Sequence, residues 1–134
     1  MAADIILGKH RNGSRQNDNL KVSFGDNADY WYLWSGMIKE IENETGELID
    51  LYADAEFAGE NLKKLESVIA KTISQLESKI ESEWNVHVGT EFGIEKKELF
   101  QALNKKELIK KLKTLIMMIE VAGKTNDTII SIGD

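Results

Sequence analysis

The clearest pattern in the chain is the spacing of apolar residues between positions 60 and 84. Leucine and isoleucine recur there at intervals of three and four, which places them on one face of a helix at about 100° per residue. A last helix with the same spacing is predicted over 105–123, ended by Gly123. The apolar face of the first of these helices consists of Leu62, Leu65, Ile69, Ile73, Leu76 and Ile80.

Short apolar or alternating segments between the helices predict strands. Residues 4–7 and 20–24 read as a hairpin with a long loop, while 47–52 and 128–132 read as two further strands. The segment 84–88 alternates apolar and polar positions, which is the pattern of a half-buried strand.

A further helix is predicted to begin after Asp26 or Asn27 and to end at Gly46, and a short helical turn is expected over 98–103. Because helices and strands alternate, we expect an α/β or α+β fold. We expect a single layered domain over residues 1–134, with a mixed β-sheet packed against about three helices.

The composition argues against several kinds of functional site and partner. The chain has 134 residues, no cysteine and a formal net charge of −6, so disulfides and thiolate metal sites are excluded and a cytoplasmic setting is expected. No segment approaches the ~20 apolar residues of a membrane span. The acidic balance argues against direct nucleic-acid binding, which needs an excess of Lys and Arg.

The charge is unevenly distributed. Ten acidic residues and one lysine lie between Asp26 and Glu60, whereas seven lysines and two glutamates lie between Lys96 and Lys113. Such polarity attracts a partner of opposite sign and speeds association.

An aromatic cluster occupies residues 30–34. On a helical wheel Tyr30 and Trp34 fall on the apolar face with Met37 and Ile41, and Trp31 falls at its edge. Tyr32 falls on the polar side, so it is expected to point outward, unless a neighbouring loop covers it. Since tyrosine is enriched at interface hot spots, Tyr32 is a candidate partner contact.

Carboxylates follow in the segment 50–56. Asp50 and Tyr52 would share one face of the predicted strand, and Asp54 and Glu56 lie just beyond it. The spacing matches no calcium loop, so the segment is interpreted as a solvated turn or as an acidic docking surface. The candidate partner-binding residues are therefore Tyr32, Asp50, Tyr52, Asp54 and Glu56.

Other candidate chemistry is sparse. His10 and His87 have no metal-ligand spacing, and no phosphate-binding, dinucleotide or nucleophile motif is present, so neither a cofactor nor a catalytic residue is predicted. The last helix is apolar nearly all round between Leu115 and Ala122, which predicts burial on several sides or, alternatively, a homodimer contact involving Met117.

The run YWYLWSGMIKEIENETGELIDLYADAEF, with the preceding VSFGDNA, resembles small bacterial immunity proteins of polymorphic-toxin and contact-dependent growth-inhibition systems. The resemblance covers 22–57 and transfers no residue role. It implies a non-enzymatic cytoplasmic protein that binds and neutralises a cognate toxin, for example a nuclease with a basic surface. The alternatives are a small enzyme or ligand-binding domain, with the two histidines or the 50–56 carboxylates in a pocket, and a homodimeric adaptor.

Overall fold

The computed structural model describes residues 1–8 and 20–133. The strands in this part of the chain are β1 (Ala2–Gly8), β2 (Lys21–Gly25), β3 (Ala55–Phe57), β4 (Glu83–Phe92), β5 (Lys96–Asn104) and β6 (Thr128–Gly133). The α-helical segments are α1 (Ala28–Leu33), α2 (Lys39–Thr45), α3 (Glu60–Glu77) and α4 (Lys105–Thr125). A π-helical turn, Trp34–Ile38, joins α1 to α2 without a break. The described residues therefore form three helices.

The strands lie in two antiparallel sheets. The larger has the order β2-β1-β6-β3, and the smaller is the β4–β5 hairpin. The predicted α+β class with three helices is confirmed, whereas the expected single mixed sheet is corrected to two antiparallel sheets. The antiparallel pairing of β1 with β2 confirms the predicted first hairpin.

The first helix begins and ends as its sequence predicts. The Asn27 side chain caps the helix, since its Oδ1 accepts from the Asp29 amide at 3.1 Å. At the other end Gly46 adopts φ 78°, a left-handed conformation that glycine takes without steric cost, and its amide donates to the Glu42 carbonyl.

Two predicted elements are wrong. Residues 47–52 form no strand, and the only strand nearby is β3. Residues 98–103 lie within β5 instead of a helical turn. A spacing of four residues places two side chains on one face both in a helix and in a strand, so the positions of Leu99 and Leu103 do not distinguish the two conformations. Pairing with β4 makes this segment a strand.

Two helix ends also differ from the prediction. Helix α3 ends at Glu77, so Ile80 lies beyond the helix and is 96% exposed. Helix α4 continues past Gly123 to Thr125 and ends where Asn126 takes φ 56°, because asparagine tolerates the left-handed conformation better than most residues.

The core lies between the four-stranded sheet and the helices. One apolar face of each long helix is buried there, as predicted for α3 up to Leu76 and for α4 from Leu108. The hairpin attaches at its base, where Leu103 is fully buried and Trp84 packs against the core. The Lys105 amide there donates to the Ser82 carbonyl at 3.0 Å.

Candidate protein-binding surface

Residues 47–54, here called the acidic loop, link α2 to β3 and alternate between inside and outside. Ile49 and Leu51 are buried, whereas Asp50 is half-buried and Tyr52 is 60% exposed. Asp50 and Tyr52 are therefore the more exposed positions of this alternation, although the predicted strand that they would share is absent. Buried and exposed positions alternate because the side chains of Ile49 and Leu51 are buried.

A buried tyrosine fixes the start of the acidic loop. Tyr30 Oη donates to the Ile49 carbonyl at 2.9 Å, and the Tyr30 side chain is almost completely buried. Burial, and next the nearby negative charges of Asp50 and Asp26, raise the pKa of Tyr30 to about 12. The hydroxyl is therefore protonated and able to donate at every physiological pH.

Close backbone packing fixes the end of the acidic loop. The Gly133 amide donates to Asp54 Oδ1 at 3.1 Å. A Cβ at Gly133 would lie 2.3 Å from the Ala53 nitrogen, so only glycine permits this approach. Because both ends are fastened, the backbone position of Tyr52 is restrained.

The carboxylates of residues 47–56 make different contacts. Asp50 Oδ1 accepts weakly from the Tyr52 amide at 3.4 Å, and Asp54 holds Gly133. Glu56 lies on the edge strand β3, where its amide donates to Glu47 Oε1 at 3.1 Å. Four of the five sequence-predicted residues thus lie in the contiguous segment 50–56, with Glu56 on β3 just beyond the acidic loop.

Tyr32, the fifth candidate, lies elsewhere, and the expectation that it points outward is wrong. The ring is half-buried against Trp84 of β4, with centroids 5.4 Å apart. Burial raises the pKa of the Tyr32 hydroxyl. The covering element is the hairpin, whose extent the sequence did not predict. Tyr32 is therefore on the hairpin side of α1, whereas Tyr30 is on the side of the acidic loop.

The tryptophans of the aromatic cluster are only half-buried. Trp31, predicted at the edge, donates from Nε1 to Asp26 at 2.6 Å, and its ring lies 5.9 Å from Trp34. Trp34, predicted as core, packs against the core but is only half-buried. The Lys39 amide bonds to the Trp34 carbonyl five residues earlier, which places the Lys39 ammonium 4.7 Å from the indole centroid.

Tyr30 connects this aromatic surface to the acidic loop. Its ring contacts Trp31 and Trp34 at centroid distances of 5.1 and 5.9 Å, and its hydroxyl bonds to Ile49. Tyr30 therefore contacts both the indoles and the backbone of the acidic loop.

Sequence reasoning missed a second exposed apolar region at the hairpin. Phe92 is 80% exposed, Phe100 is 59% exposed and Ile94 is fully exposed. The signal available was the apolar spacing on both sides of Gly93, which a long hairpin would explain.

The two histidines assemble no site with the 50–56 carboxylates in the described residues. His87 is on the hairpin, where its Nε2 contacts Glu98 Oε2, and His10 lies outside the described residues. Within 1–8 and 20–133, no group of three or more histidine, cysteine, aspartate or glutamate side chains is placed to hold a metal ion.

The predicted burial of the apolar segment of α4 is correct for one side of the helix. Met118 is fully buried, while Met117 is 46% exposed. Met117 borders a shallow groove between α3 and α4, beside Ile73 and Ile116. The homodimer contact at Met117 stays a prediction.

Comparisons with known proteins identify no relative of this chain. The chain matches no protein-family model, no curated protein and no solved structure. None of the helices in the described part of the chain is both long enough and apolar enough to cross a membrane.

Proposed function

We propose that the protein is an immunity-type inhibitor, which binds a cognate bacterial toxin domain in the cytoplasm and neutralises it without catalysing a reaction. The toxin's contact surface is basic, as in a nuclease, and the acidic loop is the part of the inhibitor that meets it. The resemblance of residues 22–57 to immunity proteins supports the class of partner.

The observation that carries the proposal is Tyr52. A large aromatic side chain is 60% exposed on a loop held at both ends, with Asp50 and Asp54 on either side of it. A pre-positioned tyrosine costs little conformational entropy on binding, and tyrosine is among the residues that dominate interface free energies. The flanking carboxylates favour a basic partner and accelerate the encounter.

The experiment begins with the protein encoded beside this chain. A tagged copy is used to co-purify it, and the affinity is then measured by titration calorimetry. Tyr52→Ala is expected to weaken binding by about tenfold or more, the size of a hot-spot loss. Asp50→Lys is expected to weaken binding and to reduce its dependence on salt.

Glu81→Lys is the matched control for Asp50→Lys. Both substitutions change the net charge equally, but Glu81 is an exposed residue between α3 and β4, outside the acidic loop. Equal losses from the two charge reversals would show that only net charge matters. Unchanged affinity for both Tyr52→Ala and Asp50→Lys would exclude the acidic loop as the binding surface.

A further inference from the structure

The outward side of α4 is basic over its first half, although the whole chain is acidic. Lysines recur there at intervals of four and three residues, which aligns them on one side of a helix. Their side chains are exposed, as is that of the methionine next along this side. At about 1.5 Å per residue the four positions extend roughly 16 Å. This set, here called the lysine ridge, consists of Lys106, Lys110, Lys113 and Met117.

Two other lysines of α4 are held by contacts within the fold. The Lys105 ammonium donates to the Lys79 carbonyl at 2.6 Å. The Lys111 ammonium donates to Asp29 at 2.8 Å and to the Ser23 carbonyl at 3.2 Å. These two lysines therefore help to attach α4 to the rest of the protein.

The charge of the lysine ridge, in contrast, is available to a partner. Lys113 lies 3.5 Å from Glu77 in an exposed ion pair, and such pairs contribute little free energy. Neither Lys106 nor Lys110 has an ion-pair partner within residues 1–8 and 20–133. Glu107 lies beside the ridge. The ridge therefore keeps a local excess of positive charge, which attracts carboxylates.

Apolar surface adjoins the lysine ridge. A shallow depression on α4 is lined by Ile109 and Met117 together with the ridge lysines. The groove between α3 and α4 shares Lys113 and Met117 with this depression and continues to Ile73 and Ile116. A helix of another protein that lies along α4 can place side chains in both, because helices bind such grooves through residues spaced three and four apart.

The charges along the groove give such a helix a direction. Lysines line the end nearest the start of α4, whereas Glu66 and Glu120 line the α3–α4 groove. Glu120 lies about one helical turn beyond Met117. A complementary helix therefore has its carboxylates toward the start of α4 and an aliphatic side chain beside Met117.

Other occupants are less complementary to this surface. The α4 face of a second copy would bring the same lysines, and like charges repel. A nucleic acid would find no aromatic residue on α4 for base stacking, and the chain's net charge of −6 repels it. A membrane-surface helix has several large apolar side chains on one face, whereas Met117 is the one apolar side chain that is well exposed on α4, a helix described in full.

We infer that the lysine ridge and the adjoining groove form a second binding surface, which takes an acidic amphipathic helix of a partner protein. Carboxylates three and four residues apart on that helix pair with the lysines, and its aliphatic side chains fill the groove beside Met117. The acidic loop attracts the opposite charge, so the two surfaces take different segments and are tested separately.

The probe is a synthetic peptide of about 20 residues, long enough to be helical, in which glutamate and leucine share one face. Its titration into isotope-labelled protein should shift the amide NMR signals of residues 106–117, with a Kd of about 1 mM or lower that rises with salt. A peptide of the same composition in shuffled order, without such a face, should bind at least about tenfold more weakly. Unchanged signals over 106–117 at about 1 mM peptide would overturn the inference.

Charge reversal on the ridge separates this surface from the effect of net charge. Lys106→Glu combined with Lys110→Glu should weaken peptide binding by at least about tenfold. Lys63→Glu combined with Lys64→Glu changes the net charge equally, but these exposed residues of α3 line neither the depression nor the groove, so binding should weaken by less than about threefold. Circular dichroism should show an unchanged fold in both, because all four side chains are exposed. Equal losses of affinity would refute the ridge as the site.

Further measurements distinguish the occupants. Met117→Ser should weaken peptide binding by about threefold or more through lost apolar contact, and Tyr52→Ala on the acidic loop should leave it unchanged. Tighter binding of a single-stranded RNA of about 20 nucleotides, or of phosphatidylserine vesicles, would assign the ridge to a nucleic acid or a membrane instead. A concentration-dependent dimer in sedimentation velocity that Met117→Ser abolishes would assign the groove to a second copy. Either result would overturn the acidic helix as its occupant.

Discussion

The acidic loop and the β4–β5 hairpin both expose aromatic side chains, but different interactions hold them in place. The acidic loop has no strand partner and is fixed by buried anchors at Ile49 and Leu51 and by the contact with Gly133. The hairpin is paired along its length except at the bulge between His87 and Gly89, yet residues 91–98 around its turn are all exposed. Regular hydrogen bonding is therefore a poor guide to which region is rigidly attached to the core.

This difference predicts separate stabilities for the two regions. Opening the acidic loop exposes buried aliphatic surface, whereas fraying of the hairpin tip exposes little more than is exposed already. Leu51→Ala, Gly133→Ala and Tyr30→Phe below each compare the acidic loop with the hairpin or with the hairpin's contact with α1. The final substitution, Thr90→Val, tests a contact within the hairpin.

The largest effect is expected from Leu51→Ala. Leu51 is 2% exposed, so its truncation leaves a cavity in the core and should destabilise the protein by about 2–5 kcal/mol. Ile94→Ala at the hairpin tip removes a fully exposed side chain and should change the stability by less than about 0.5 kcal/mol. Urea unfolding of both variants measures the contrast, and equal losses would abolish the distinction between the two regions.

Gly133→Ala should have the next largest effect. The added Cβ would lie 2.3 Å from the Ala53 nitrogen, so the acidic loop must move, at an expected cost of about 1–3 kcal/mol. Gly93→Ala in the hairpin turn is the matched control, because its Cβ meets no atom within 4 Å. Amide chemical shifts of residues 50–54 should change in the first variant only. Unchanged shifts in Gly133→Ala would show that the close approach does not fix the loop.

Tyr30→Phe removes the hydrogen bond to the Ile49 carbonyl and should destabilise the protein by about 0.5–1.5 kcal/mol. Tyr32→Phe, which keeps its ring contact with Trp84, is the comparison from the hairpin side. If it destabilised the protein as much as Tyr30→Phe, the loss could not be assigned to the Ile49 bond.

The same tyrosine predicts a pH dependence. The pKa of Tyr30 rises from 10.0 in the unfolded chain to about 12 in the folded protein, so the folded state holds this proton more tightly. The contribution of this pKa difference to the free energy of unfolding is complete below pH 10 and is lost as the pH rises toward 12. Urea unfolding in alkaline buffers should therefore show a smaller decline in Tyr30→Phe than in the wild type. An equal decline of stability in the two proteins would contradict the assignment of this pH dependence to Tyr30.

The smallest effect is expected at Glu98 on the hairpin. The Thr90 hydroxyl first, and His87 and Lys96 further, hold the pKa of this exposed carboxyl below its ordinary value of 4.5. The associated stability is present above that value and is lost as the pH falls through the lower folded pKa. Thr90→Val should raise the Glu98 pKa in a carboxyl carbon NMR titration, and Lys97→Ala should not. A Glu98 pKa that Thr90→Val leaves unchanged would assign the shift to another partner.

Much of the fold could be predicted because local patterns agree with it. The helical spacing of α3 and α4, the Asn27 cap and the left-handed Gly46 depend on residues close together in the chain. Errors arose where two conformations satisfy one pattern, as with Leu99 and Leu103, or where an unexpected residue ended a helix, as Asn126 does.

The candidate surface was predictable only in part. Tyr52 and its flanking carboxylates could be found because they are contiguous in the sequence. The position of Tyr32 could not, since it depends on a strand fifty residues later that supplies Trp84. The helical wheel placed Tyr30 in the core correctly but overestimated the burial of Trp34, which packs against the core and is half-buried.

By itself the sequence determined the helices, four of the six strands in the described residues, the buried side of each long helix and the concentration of acidic residues around Tyr52. These follow from periodicity, capping and charge, which act over a few neighbouring residues. The tertiary structure alone decided that the acidic loop is fixed without a strand partner, that Tyr32 is covered and that the hairpin exposes Phe92 and Phe100. Each of these depends on contacts between residues far apart in the chain, such as Gly133 with Ala53, which no local pattern encodes.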